Sequence, residues 1–112
     1  MISRVWHGWT HHDNANAYQK LLLETILPGI AAKAISGYHG AYLFRRVDRD
    51  RVEFVTTMYF DSIDSVRNFA GEDYETAVVP PEAQKLLARF DARSKHYEVL
   101  SSPSLRGDGL RG

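Results

Sequence analysis

Five histidines, His7, His11, His12, His39 and His96, are the side chains that can change charge near neutrality in this chain. His11 and His12 are adjacent and polar neighbours surround them, which reads as a solvated loop; adjacent side chains do not converge on a metal. His39 stands near the start of a strand-like run. His7 and His96 are different. Each lies in the middle of a strand-like run, and the two runs are expected to be neighbours, so the imidazoles could meet across a ladder. A neutral imidazole beside Trp6, Trp9 and Tyr97 can accept a proton from a phenol or an enol, or can simply be packed and hydrogen-bonded. Arg4 could steady a developing enolate or pair with an acid such as Glu98. Trp6, Tyr59, Phe69 and Tyr74 are the aromatic side chains placed to wall a pocket.

These residues need elements to hold them. Val52 to Asp61 alternates, with Val52, Phe54, Thr56, Met58 and Phe60 on one parity and a mixed set including Val55 and Tyr59 on the other. This is the pattern of a central strand covered on both faces. Asp61-Ser62 offers a helix cap, and Ile63, Val66, Phe69 and Ala70 follow at helical spacing. Gly71 interrupts, and Tyr74, Ala77 and Val78 form a second apolar stripe. Ile2 to Thr10 is a strand with Arg4, Trp6 and Gly8 on one parity and Val5, His7 and Trp9 on the other. Trp6 and His7 therefore cannot face the same side. Asp13 or Asn14 is the expected cap of a helix whose inner face holds Tyr18, Leu21, Leu22, Thr25 and Ile26. Pro28-Gly29 bends or ends it, and Ile30 to Ile35 can add a short helical piece. Tyr38 to Val47 is a strand, with Tyr38, Tyr42 and Phe44 on one parity, and Asp48 to Arg51 is a hairpin turn. Pro80-Pro81 opens a further helical segment that turns Leu86, Leu87 and Phe90 inward, and Arg93 to Leu100 is the last strand. Residues 101–112 read as a mobile tail after a domain spanning 1–100.

Composition excludes several classes. A chain of 112 residues fits one domain, burying roughly 65% of its unfolded surface. Fourteen basic residues balance fourteen acidic ones, so no nucleic-acid partner is expected. No apolar run is long enough for a signal peptide or a membrane span, and no membrane partner is expected. The absence of cysteine removes disulfides, thiolate metal sites and a cysteine nucleophile, and suits a reducing cytoplasm.

The element order β-α-β-β-α-β predicts an α+β, ferredoxin-like fold: a four-stranded antiparallel sheet, first and third strands central, helices on one face. The other face would carry more aromatic and apolar side chains than water tolerates, so a homodimer is expected to cover it.

WHGWT in the first strand, NFAGEDYETAVVPPEAQKLL across the later helices and KHYEVL in the last strand resemble the antibiotic biosynthesis monooxygenase family over roughly residues 1 to 100. The resemblance implies a dimeric α/β barrel of two ferredoxin-like units packed sheet to sheet. It also implies kinships with cofactor-free oxygenases of aromatic polyketides, haem-degrading enzymes and small quinol oxygenases. The haem-degrading members carry an Asn, a Trp and a His at positions that fall here near Trp6 or His7, at Phe69 and at Val78, so haem degradation is not expected. Of the aromatic and polar side chains around the pocket of the polyketide oxygenases, Tyr74 alone invites comparison here.

Two functions follow as expectations. One is a cofactor-independent monooxygenase acting on a small electron-rich aromatic, an anthrone or quinol, with no cofactor and no metal. His96 or His7 would be its base, and Trp6, Tyr59, Phe69, Tyr74 and Arg4 would bind substrate. The other is a non-catalytic dimeric α/β-barrel binding or stress-response protein.

Overall fold

The computed structural model describes residues 1–103; the rest of the expected tail, 104–112, lies outside the described residues. The strands are β1 (Ile2–Thr10), β2 (Tyr38–Val47), β3 (Val52–Phe60), β4 (Arg89–Phe90) and β5 (Lys95–Glu98). The helices are α1 (His12–Leu21), continued by a wide π turn (Leu22–Ile26) into α2 (Leu27–Ala32), then α3 (Ile63–Ala70) and α4 (Pro81–Gln84). Every strand pairing is antiparallel, and the order β2-β3-β1 is completed by β4 and β5, which both lie against β1. The α+β, ferredoxin-like architecture is the one expected, with β1 and β3 central.

Alternation does what it should in β1 and β3. Arg4 faces Met58 and Trp6 faces Thr56 on the helix side, while His7 faces Val55 and Trp9 faces Glu53 on the other. The helix side is the core. Phe54 and Phe60 are fully buried, and each side chain contributes about 1.5–3 kcal/mol through the area it removes from water. Tyr18 of α1 meets Phe54 edge to face, ring centres 4.8 Å apart. The Ser62 side chain caps α3 by accepting from the Ser65 N–H at 3.2 Å, as its position after β3 predicts.

Four local expectations are corrected. His11, not Asp13 or Asn14, occupies the N-cap of α1, with no side-chain bond, and the His12 imidazole Nε2 lies 2.8 Å from the Arg49 carbonyl of the β2–β3 hairpin. Pro28 does not end the helix. The π turn just before it widens the backbone, and Pro28 enters the first turn of α2, where its missing N–H matters least. Tyr38 leaves the parity of Tyr42 and Phe44, because the β2–β3 register shifts between Tyr38 and Gly40. Gly40 has φ 119, and Tyr38 turns inward onto Phe60, centres 5.4 Å apart.

The largest correction concerns the last third of the chain. Residues 71–80 are not helical, and α4 stops at Gln84. Phe90 is in β4 opposite Gly8 rather than on a helix, and the last strand is shorter than expected, Lys95–Glu98. Residues 91–94 break the edge and pair with the irregular segment instead: the Ala77 N–H donates to the Ala92 carbonyl at 2.9 Å, and the Ser94 N–H to the Glu75 carbonyl at 2.7 Å. Backbone partners from a distant segment outweigh the weak helical pattern here.

Candidate functional site

A cleft lies between the sheet and the helices. Its floor is Arg4, Trp6, Thr56 and Met58; its roof comes from α1, the π turn and α2 through Tyr18, Leu22, Ile26, Leu27 and Ile30. Phe69, Ser94 and the irregular segment around Val78 and Val79 form the walls. The cavity volume is about 50 Å³, and the empty volume measured out to the open mouth is about 530 Å³. The lining is mainly apolar, as in small-molecule sites.

Trp6 reaches this floor because the next residue on its face has no Cβ. A Cβ on Gly8 would stand 2.7 Å from Trp6 Cη2 and 3.1 Å from Leu87 Cδ2. The indole Nε1–H donates to the Asp91 carbonyl at 2.8 Å, so the edge broken at residues 91–94 also orients the tryptophan.

Arg4 is 3% exposed. Its Nη1 donates to the Tyr74 carbonyl and approaches His96 Nε2 at 3.0 Å, and its Nη2 donates to the Thr76 carbonyl at 3.0 Å. The guanidinium carbon sits 5.5 Å from the centre of the Phe69 ring. Among the described residues no carboxylate lies within ion-pair distance of it; the expected pairing with Glu98 does not form, because β5 sets Glu98 opposite Ile2. Burial pushes the guanidinium pKa down to about 10, which still leaves it a cation at neutral pH. One Nη2 proton and the Nε proton have no acceptor among the described residues.

His96 pairs with Arg4 across the ladder and packs edge to face on Tyr74, centres 5.1 Å apart. A guanidinium only donates, so Nε2 must carry the lone pair and Nδ1 the proton. That Nδ1 is buried without a partner among the described residues. Burial first, then the Arg4 charge, hold the imidazole pKa below its ordinary value, against an opposing pull from Glu75. His96 is thus neutral and stands directly behind Arg4.

The remaining expected site residues fall on both sides of the sheet. Phe69 joins Arg4 and Trp6 in the cleft wall. Tyr74 touches Arg4 and His96 without lining the cleft. His7 and Tyr59 lie on the open face. His7 Nδ1 is 2.7 Å from Glu53 Oε2 and its ring stacks on Trp9, while Tyr59 meets Tyr42 edge to face. His7 and His96 therefore do not meet.

Sequence reasoning assigned Tyr18 only to a helix face. It is 1% exposed, it lines the cleft, and its hydroxyl makes no hydrogen bond to any described residue. Burial raises its pKa, so it is a neutral donor. Ser94 and Thr56 were missed because small polar residues leave no pattern. Among the described residues no three His, Cys, Asp or Glu side chains gather as a metal would require, and no helix is long and apolar enough to cross a membrane.

No protein-family model matches the chain, and no curated protein does. The fold has a solved counterpart. A crystal structure from Bacillus cereus, provisionally named an antibiotic biosynthesis monooxygenase, superposes with a TM-score of 0.62 at 15% identity, covering 91% of this chain and 94% of that one. At that identity the likeness is one of fold: this chain has the α/β architecture of that protein.

Proposed function

We propose that the protein is a cofactor-independent monooxygenase of a small electron-rich aromatic, with the cleft as its site. One observation carries the reading: Arg4 is a buried cation with no carboxylate partner among the described residues, set in an apolar cleft beside Trp6 and Phe69. A buried charge of this kind is costly unless something negative is meant to meet it. A quinol or anthrone becomes a phenolate or enolate when it loses a proton, and Arg4 would hold that oxygen. The B. cereus fold counterpart carries a monooxygenase name, which agrees with this reading.

The chemistry balances without a further reductant. His96 lies behind Arg4 and outside the cleft lining, so the transfer requires the guanidinium to swing off Nε2; the incoming hydroxyl then takes an Arg4 donor and gives its proton to that freed lone pair. The electron-rich anion passes one electron to dioxygen. The resulting radical pair combines through a new carbon–oxygen bond, and the imidazolium returns a proton to the peroxide. Loss of water breaks the O–O bond and leaves a carbonyl on the ring carbon. Trp6 and Phe69 wall the ring and keep water out. His7 would enter chemistry only in a site on the other face.

The open sheet face supports the homodimer. Tyr42 is 55%, Phe44 52% and Tyr97 52% exposed in one copy, and a two-fold mate burying more than about 1,000 Å² in total would cover them. Light scattering is expected to give twice the chain mass at micromolar concentration; a monomer mass overturns this.

The test of the reaction is oxygen uptake with a panel of hydroquinones and anthrones. Turnover by the wild-type protein is the expected result. If none of them is consumed, the second reading stands: a non-catalytic binding barrel. The small cavity volume of about 50 Å³ favours that second reading, since side chains fill much of the cleft.

A further inference from the structure

We propose that the cleft selects a single-ring aromatic bearing an ionised oxygen at one end, held by Arg4, and a neutral hydrogen-bond acceptor at the other, held by the Tyr18 hydroxyl. This rests on the cleft being the ligand site, as in the function above, but not on any oxygen chemistry.

Two unmet groups point to it. On the floor, Arg4 is buried with an Nη2 proton and its Nε proton free of acceptors among the described residues. On the roof, Tyr18 is almost wholly buried, lines the same cleft, and has a hydroxyl with no partner among the described residues. The Tyr18 ring packs on Phe54 while its hydroxyl opens on the cleft, where a ligand acceptor can take the place of water. The two groups come from different layers, β1 and α1, so a ligand reaching both must lie across the cleft. Its middle would contact Trp6, Met58 and Phe69, which suits a ring. Tyr18 stays protonated because burial disfavours its anion, so it donates and does not compete for the negative oxygen.

Three probes of matched size separate the two contacts: para-methoxybenzoate carries both groups, para-methylbenzoate lacks the acceptor, and para-methylanisole lacks the charge. Calorimetric titration of the full chain at pH 7 should rank them in that order. Tyr18→Phe should weaken para-methoxybenzoate about 3- to 10-fold, the value of one neutral hydrogen bond, and leave para-methylbenzoate unchanged. Arg4→Lys keeps the charge but loses the fork, and should weaken both benzoates while sparing para-methylanisole. The melting temperature of Tyr18→Phe should stay level or rise. Equal binding of para-methoxybenzoate by Tyr18→Phe, no binding of either benzoate by the wild type, or a fall in the melting temperature of Tyr18→Phe would each overturn the proposal. A protein that binds in this pattern and takes up no oxygen leaves the selectivity standing and removes the oxygenase. Oxygen uptake without this pattern does the reverse.

Discussion

The two faces of the sheet are built from the same strands and use the same residue types in opposite ways. On the helix side, a buried arginine and a half-buried histidine touch each other, and the arginine's other partners are backbone carbonyls of a distant segment. On the open side, His7 has a carboxylate, Glu53, and Trp9 has the Arg89 guanidinium 4.4 Å above its ring. The open-face groups satisfy one another near solvent, where such ion pairs contribute little. Among the described residues the cleft-face groups leave donors unused: Arg4 protons, the Tyr18 hydroxyl and His96 Nδ1. A face whose charged groups pair with one another suits an interface, and a face with donors left free among the described residues around an apolar hollow suits a ligand.

The sharpest way to break this contrast is a pair of histidine substitutions. His96→Ala should lower oxygen uptake with a responsive quinol by about 10²- to 10⁴-fold, the usual effect of removing a general base, while His7→Ala keeps most of the rate. Equal losses from both would show that the two faces do not divide the work as described.

Next in size is the anchoring by Arg4. Arg4→Met should destabilise the fold, by about 1–3 kcal/mol for each carbonyl of Tyr74 and Thr76 left without a donor. A urea titration gives the shift. An unchanged midpoint would mean that water replaces the guanidinium at no cost, and that the burial argument for the site is weak.

On the other face, Tyr42→Ser with Phe44→Ser should abolish the proposed dimer and leave the chain folded, since both side chains lie outside the two core clusters. Sedimentation paired with circular dichroism reads both properties. Loss of the fold together with the dimer would show that the open face is needed by the single copy.

The smallest effect is a pH dependence. The folded-state pKa of His96 lies below its ordinary value of about 6.5, so the unfolded chain takes up the proton first on acidification. The stability tied to the neutral imidazole is complete above about pH 6.5 and is lost as pH falls through the folded-state value. His96→Gln should flatten that acid limb of the stability curve. An identical limb in the variant assigns it to other groups.

Much of this was legible from residue order. Strand parity in β1 and β3 put Arg4 and Trp6 on one face and His7 on the other, because a pleat allows nothing else. The apolar and aromatic side chains expected on the uncovered sheet face led to the expectation of a covering partner. The apolar content and the cap at Ser62 marked the β3–α3 corner.

Tertiary structure decided the rest. The segment 71–80 has helical spacing in its apolar residues, yet it takes irregular form, because its carbonyls are claimed by Arg4 and its backbone pairs with residues 92 and 94. The one-residue bulge at Gly40 moves Tyr38 to the other face, which alternation alone cannot foresee. Whether Trp6 faced a cleft or a mate depended on which side the helices covered, a choice made by long-range packing. Tyr18 reads in the sequence as one more aromatic on a helix face. Only the folded chain leaves its hydroxyl in a cleft without a partner among the described residues, since hydrogen bonding depends on atoms far away in the sequence.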